Sequence, residues 1–144
     1  MKIRLIEAQI IGDERGSLIA LEELSSQVPF EIKRVYYIFG TQEGVRRGLH
    51  AHKELQQVAF CVSGSCKFLL DNGTAKEEVL LDHPGKGLFI DRMIWREMYG
   101  FSSDCVLLVL ASMEYEESDY LREYQQFIYL QSKEGYSKED SNGS

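Results

Sequence analysis

Apolar and polar positions in this chain alternate in short runs, and turn residues break those runs every several positions. Residues 2–6 and 17–22 read as strands on either side of a Gly/Asp-rich turn at 12–16. Segment 35–39 (VYYIF) is dense in β-branched and aromatic residues, which favour a pleated, half-buried surface. Segments 56–62 and 66–71 flank Ser63, Gly64 and Ser65 as a hairpin. Asp71, Asn72 and Gly73 signal the next turn, and further strands follow at 77–81, 87–90, 95–99 and 105–111. Evenly spaced short strands of this kind predict an all-β sandwich or barrel. Helical spacing is persuasive only over 118–127, where Ser118 is placed to cap and Leu121, Tyr124 and Phe127 share a face. Residues 132–144 are polar with one aromatic and read as a flexible tail, leaving 1–131 as a single domain without repeats or a linker.

Composition narrows the function classes. A chain of 144 residues, 44% hydrophobic and 27% charged, is long enough for a core of its own. Its net charge of -7 argues against a nucleic-acid footprint, which needs a basic face. No apolar run spans a bilayer, and the first residues lack the apolar stretch of a signal peptide, so a cytoplasmic, membrane-free protein is expected. Cys61, Cys66 and Cys105 sit in strand-like segments without a CxxC pair, and read as reduced, buried thiols. A zinc site would need further ligands at suitable spacing.

The chemistry concentrates in one stretch. Gly44, His50, His52, Gln57 and Gly64 reproduce the spacing G-x5-H-x-H-x4-E-x6-G, with Gln in place of Glu. This resembles the first cupin motif, and cupins are jelly rolls. In the later motif, beginning at Gly85, Arg96 stands where a metal cupin carries its third His. An arginine does not coordinate a transition metal, and an amide replaces a carboxylate poorly, so a site without metal or other cofactor is expected.

On a strand, His50 and His52 point to one face, here the interior. Beside Arg46, Arg47 and Lys53 they make a poor apolar core, and histidine suits proton shuttling because its ordinary pKa lies near 6.5. Gln57 can hold a sugar hydroxyl or orient a ring nitrogen. Arg46, Arg47, Arg96 and Arg122 are candidates for phosphate, which the planar guanidinium fork matches. Trp95 is either core or a stacking surface for a base or sugar. Tyr36 and Tyr37 alternate faces, and alternation alone leaves open which points inward. His83 belongs to a surface turn, and the acidic run 114–119 reads as a solvated turn.

Taken together, 47–53 (RGLHAHK), 62–67 (VSGSCK), 95–98 (WREM) and 119–122 (DYLR) resemble the sugar 3,4-ketoisomerases, WxcM-like cupins acting on nucleotide-linked deoxysugars. The resemblance runs from the first strand to Phe127 and sharpens the fold to an all-β cupin jelly-roll barrel with a short C-terminal helix. It implies a metal-free isomerase that moves the carbonyl of dTDP-4-keto-6-deoxyglucose from C4 to C3, feeding 3-amino sugars for surface glycans. It also implies a homodimer exchanging N-terminal strands, with residues 2–6 paired to the partner's sheet. On this basis His52 is the base and shuttle, and His50 assists it. Tyr37 is the inward tyrosine at the carbonyl. Arg47 and Lys53 bind diphosphate or enediolate, and Trp95 and Arg96 hold the nucleotide. Ser17 and Arg122 influence the stereochemistry at C4.

Three other readings compete. A nucleotide-sugar epimerase would pair the base with an Asp, and none is evident near His50 or His52 in the sequence. A metal dioxygenase is disfavoured by Gln57 and Arg96. A sugar-nucleotide sensor would bind without turnover, and fold alone does not exclude it.

Overall fold

The computed structural model describes residues 1–142. In chain order, β1 (Arg4–Glu7) precedes a small hairpin of β2 (Ile11–Asp13) and β3 (Gly16–Leu18). Eight strands then carry the body of the molecule. They are β4 (Arg34–Phe39), β5 (Arg47–His52), β6 (Gln57–Ser63), β7 (Cys66–Asp71), β8 (Lys76–Leu81), β9 (Lys86–Ile90), β10 (Trp95–Tyr99) and β11 (Val106–Ala111). A 3-10 turn (Glu117–Asp119), β12 (Tyr120–Leu121) and helix α1 (Tyr124–Asn142) complete the described chain.

Two antiparallel sheets face each other, ordered β1-β9-β6-β11-β4 and β12-β5-β10-β7-β8. From β4 to β11 the chain passes repeatedly between the sheets, which is the interleaved connectivity of a jelly roll. The interior is filled by alternate residues of the strands: Ala59 and Cys61, Phe68 and Leu70, Leu107 and Val109, with Leu88, Ile90 and Met98. Strand β6 is buried along most of both faces. Its outward Val58 and Phe60 are covered by Val28, Phe30 and the partly buried Ile19, Leu21 and Ile32, so residues 19–32 act as a cover over that sheet. This explains why 17–22 is strand only as far as Leu18, and why the expected turn at 12–16 tightens into the β2–β3 hairpin.

The C-terminal helix is displaced from the expected 118–127. Lys53 N–H donates to the Asp119 carbonyl at 2.9 Å, and Tyr120 and Leu121 pair with His52 and Ala51, so main-chain pairing with β5 claims the first half of that segment. The helix begins at Tyr124, continues past Phe127 into the segment read as a tail, and packs Phe127 with Trp95, Met93 and Leu121 on the outer face of the β5–β10 sheet. Residues 143 and 144 lie outside the described residues. In the single chain β1 pairs antiparallel with β9, Arg4 opposite Phe89 and Glu7 opposite Lys86.

Candidate active site

The site begins with an irregularity. In the β5–β10 register His50 opposes Arg96 and Gly48 opposes Glu97, leaving Leu49 as the extra residue of a β-bulge. Gly48 has φ 83° and Leu49 φ 58°. A Cβ on Gly48 would stand 3.0 Å from the Arg96 carbonyl, so both the backbone conformation and the close approach call for glycine. The bulge re-aims the strand so that the rings of His50 and His52 meet edge to face, with centroids 4.8 Å apart.

His50 lines a cavity of about 340 Å³ together with Arg34, Tyr36, Arg47, Tyr120 and Arg122. Its Nδ1 lies 3.0 Å from the Gly48 carbonyl. A carbonyl only accepts, so Nδ1 carries the proton and Nε2 keeps a lone pair. His52 is fully buried. Its Nδ1–H donates to Asp119 Oδ2 at 3.0 Å, and Asp119 also accepts from the backbone N–H groups of Glu54 (2.8 Å) and Leu55 (3.3 Å). The Tyr120 ring packs on both imidazoles, at 5.0 Å from His50 and 4.4 Å from His52.

Behind the pair, Arg96 is 1% exposed. It donates to Gln57 Oε1 at 2.6 Å and to the Ile94 carbonyl, and Gln57 Nε2 donates to the Tyr36 hydroxyl at 3.0 Å. The amide at position 57 therefore bridges a cation and a phenol, using acceptor and donor at once. Buried atoms without a hydrogen-bond partner among the described residues include Arg34 Nε, His52 Nε2 and Arg96 Nε, and such groups collect where a ligand supplies the partner.

The electrostatics follow from burial and this cation. Burial and then Arg96 pull the His50 pKa down to about 4, and burial, Arg96 and His50 pull His52 down to about 2. Both rings are neutral at pH 7 and able to accept a proton. Burial lowers Arg96 to about 10, which leaves it cationic, and raises the Tyr36 phenol. At the cavity mouth, Arg122 is held by both oxygens of Glu117 (2.9 and 3.0 Å) and lies over the Tyr120 ring at 4.2 Å. An acidic chain thus presents Arg34, Arg47 and Arg122 at one opening, a setting for an anionic ligand.

Of the residues singled out in the sequence, Arg47, His50 and Arg122 line the cavity, and His52, Gln57 and Arg96 stand behind it. Five fall elsewhere. Tyr37 faces outward, 62% exposed beside Phe39, and Tyr36 is the inward tyrosine. Arg46 lies over Tyr99 and pairs with Glu97 at 2.6 Å. Lys53 is exposed, and only its backbone joins the site's scaffold. Trp95 is core, donating to Glu97 Oε2 and packing on Tyr124 and Phe127. Ser17 sits on the exposed β2–β3 hairpin, away from the cavity of its own chain. Of the two histidines, His50 meets the cavity and His52 lies beneath it.

Asp119, Tyr120 and Arg34 join the site unforeseen, and Tyr36 takes the inward place expected of Tyr37. Asp119 lies in an acidic run that reads as a solvated turn, yet it is 6% exposed. Arg34 and Tyr36 had a usable signal, since β4 pairs with β11 and Tyr36 opposes Val109, an interior position. The alternative face of β4 (Val35, Tyr37, Phe39) is equally apolar, which hid that signal.

A jelly roll with an H-x-H pair on its fifth strand is a cupin, and the amide and guanidinium in the other two ligand positions set it apart from the metal-binding kind. The FdtA family model, described as WxcM-like, C-terminal, matches residues 1–132. A TDP-4-oxo-6-deoxy-alpha-D-glucose-3,4-oxoisomerase from Aneurinibacillus thermoaerophilus is 48% identical over 139 residues, covering 96% of this chain and 99% of the relative. Among solved structures, a 3,4-ketoisomerase from Helicobacter canadensis superposes with TM-score 0.87 at 45% identity, over 92% of this chain and 98% of that one. QdtA, a sugar 3,4-ketoisomerase from Thermoanaerobacterium thermosaccharolyticum solved in complex with TDP, gives TM-score 0.88 at 42% identity, over 92% and 96%. The chain belongs to the WxcM-like family, and it is an isomerase.

Proposed function

We propose that this chain converts TDP-4-keto-6-deoxyglucose to its 3-keto isomer, with His50 as the base. The observation that carries the reading is the placement of His50. It is a neutral imidazole whose Nδ1–H is committed to Gly48, leaving Nε2 at the wall of an arginine-lined cavity. In this scheme Nε2 removes the C3 proton, and the electrons move to O4 as an enediolate. Reprotonation at C4, by a proton that exchanges with solvent while on the base, and transfer of the O3 hydrogen to O4 complete the shift, so that C3 loses one hydrogen, C4 gains one and one passes from O3 to O4.

Arg34, Arg47 and Arg122 bind the diphosphate at the mouth. Arg96, cationic and dry, stabilises negative charge as it develops on the sugar oxygens. His52 is a second proton carrier, held in one tautomer by Asp119. The His–Asp pairing that the epimerase reading required is therefore present, but the relatives covering nearly the whole chain are ketoisomerases.

We further propose a homodimer. Val35, Tyr37 and Phe39 form an exposed apolar row on the edge strand β4, of the kind that a second copy covers. Ser17 would then act on the C4 face across the interface. Size-exclusion chromatography with light scattering tests the assembly.

The activity is tested by proton NMR of TDP-4-keto-6-deoxyglucose with the protein in deuterated water. The proposal expects a 3-keto species with deuterium at C4, and the ring couplings give the configuration there. Exchange at C3 or C5 with the ketone still at C4 would establish an epimerase and overturn it, and tight binding without exchange would leave a sensor.

A further inference from the structure

Three thiols converge at the end of the sandwich remote from the histidines. Cys61 lies in the same interior row of β6 as Gln57 and Ala59, four residues or about 13 Å beyond the amide. Cys66 opens β7 in the row of Phe68 and Leu70, and Cys105 leads into β11 in the row of Leu107 and Val109. Strands β6 and β11 belong to one sheet and β7 to the other, so the three side chains meet across the interior. Their exposures are 0%, 0% and 3%, and all three are free thiols. All three sulfurs lie within 4.8 Å of one another, with Cys61 and Cys105 at 3.6 Å.

We propose that Cys61, Cys66 and Cys105 form a three-thiolate site for a soft d10 cation of the copper(I) or cadmium(II) class. Thiolates about 2.3 Å from a shared metal stand roughly 3.8 Å apart in tetrahedral and 4.0 Å apart in trigonal geometry. On the structure one pair of sulfurs stands at 3.6 Å and no pair is farther apart than 4.8 Å, so shifts of about 1 Å or less bring all three within reach of one ion. One disulfide would use two sulfurs and strand the third. Among the described residues no His, Asp or Glu ligand atom joins the group, which argues against the four-ligand structural zinc site and for a three-coordinate soft ion.

The site also has a lid of main chain. Ser65 N–H donates to Ser102 Oγ (2.8 Å), Ser102 N–H donates to the Ser65 carbonyl (2.9 Å), and Cys105 N–H donates to the Ser102 carbonyl. Gly64 fits tightly there, since a Cβ on it would fall 2.9 Å from Cys105 Cα. An ion enters when these two turns part, a local opening at the strand ends. On binding, each thiol that ligates gives its proton to solvent, and no electron is transferred.

The test is a cadmium titration of the reduced, folded protein, following the ultraviolet thiolate-to-metal charge-transfer band and the mass of the native species. One cadmium per chain is expected, with band intensity for three sulfurs, a raised Tm, and ketoisomerase activity unchanged. Cys66→Ala is expected to lose a third or more of the band and the Tm gain. No charge-transfer band at saturating cadmium, or a full band in Cys66→Ala, would overturn the proposal. If that variant does not fold, the stoichiometry and band of the unaltered protein decide alone. Histidine-bound cadmium lacks the thiolate band, so the outcome is independent of the active site.

Discussion

Replacing Asp119 by Asn changes one atom of a side chain that accepts three hydrogen bonds. Oδ2 receives His52 Nδ1–H and the Leu55 N–H, and Oδ1 receives the Glu54 N–H. An amide has one accepting oxygen and one donating nitrogen. With its oxygen toward His52, the Glu54 N–H faces an NH2 group; turned the other way, His52 and Leu55 lose their acceptor and the ring must change tautomer. At least one charge-assisted bond is lost at a position 6% exposed, at a cost of about 1.5–3 kcal/mol. For a domain of this size that lowers Tm by roughly 3–12 °C. The same energy withdrawn from His52 orientation lowers kcat/KM by about 10- to 150-fold. Thermal unfolding and initial rates with TDP-4-keto-6-deoxyglucose measure both. An Asp119→Asn enzyme with unaltered Tm and kcat/KM would refute the reasoning from geometry.

Further outcomes follow from the same site. His50→Asn removes the base and is expected to cost about 10²–10⁴ in kcat while the folded state and TDP binding persist, as calorimetry would show. Because the His50 pKa is about 4, below its ordinary 6.5, the acid limb of kcat/KM falls near pH 4 instead of 6.5. The sign for stability is the same: as pH drops the unfolded chain takes the proton first, so this contribution is complete above 6.5 and is lost between there and about 4, which urea titrations across that range would follow. Phe127→Ala, on the far side of the β5–β10 sheet, costs about 3–5 kcal/mol of stability by emptying a fully buried position. Trp95→Phe loses one hydrogen bond to Glu97 and keeps kcat/KM near its original value, whereas a nucleotide-stacking tryptophan would show a raised KM.

Much of the frame was legible because β-structure leaves local marks. The turn at Ser63, Gly64 and Ser65 and the alternation in 66–71 are there as the link from β6 to β7, but the expected hairpin is not: β6 pairs with β9 and β11 in one sheet and β7 with β8 and β10 in the other, so the turn carries the chain between sheets. The H-x-H spacing, with Gln57 and Arg96 in place of ligands, forecast a cation and an amide beside the histidines, and these two groups are in direct contact. What escaped was decided by long-range pairing. Residues 118–121 have helical spacing, yet they go to β5 because Asp119 satisfies two loop N–H groups and a histidine more than 60 residues away. The facing of Tyr36 and Tyr37 depended on register against β11, and no local pattern separates two aromatic neighbours on an edge strand. The histidine roles turned on depth: spacing puts both rings on one face, and only the bulge at Leu49 sets one above the other.

The Arg96–Gln57 contact has a consequence for where such an enzyme can work. A metal cupin draws its positive charge from solution, and that charge is lost to chelators, replaced by competing ions or altered by oxidation. Here the cation is encoded in the chain and arrives with folding, buried and aligned by an amide. Its supply depends on translation alone, so the charge is as constant as the sequence, whatever the cell's metal economy. The same permanence forecloses tuning: no exchange of ions can adjust its strength, and only mutation of Arg96 or its partners can.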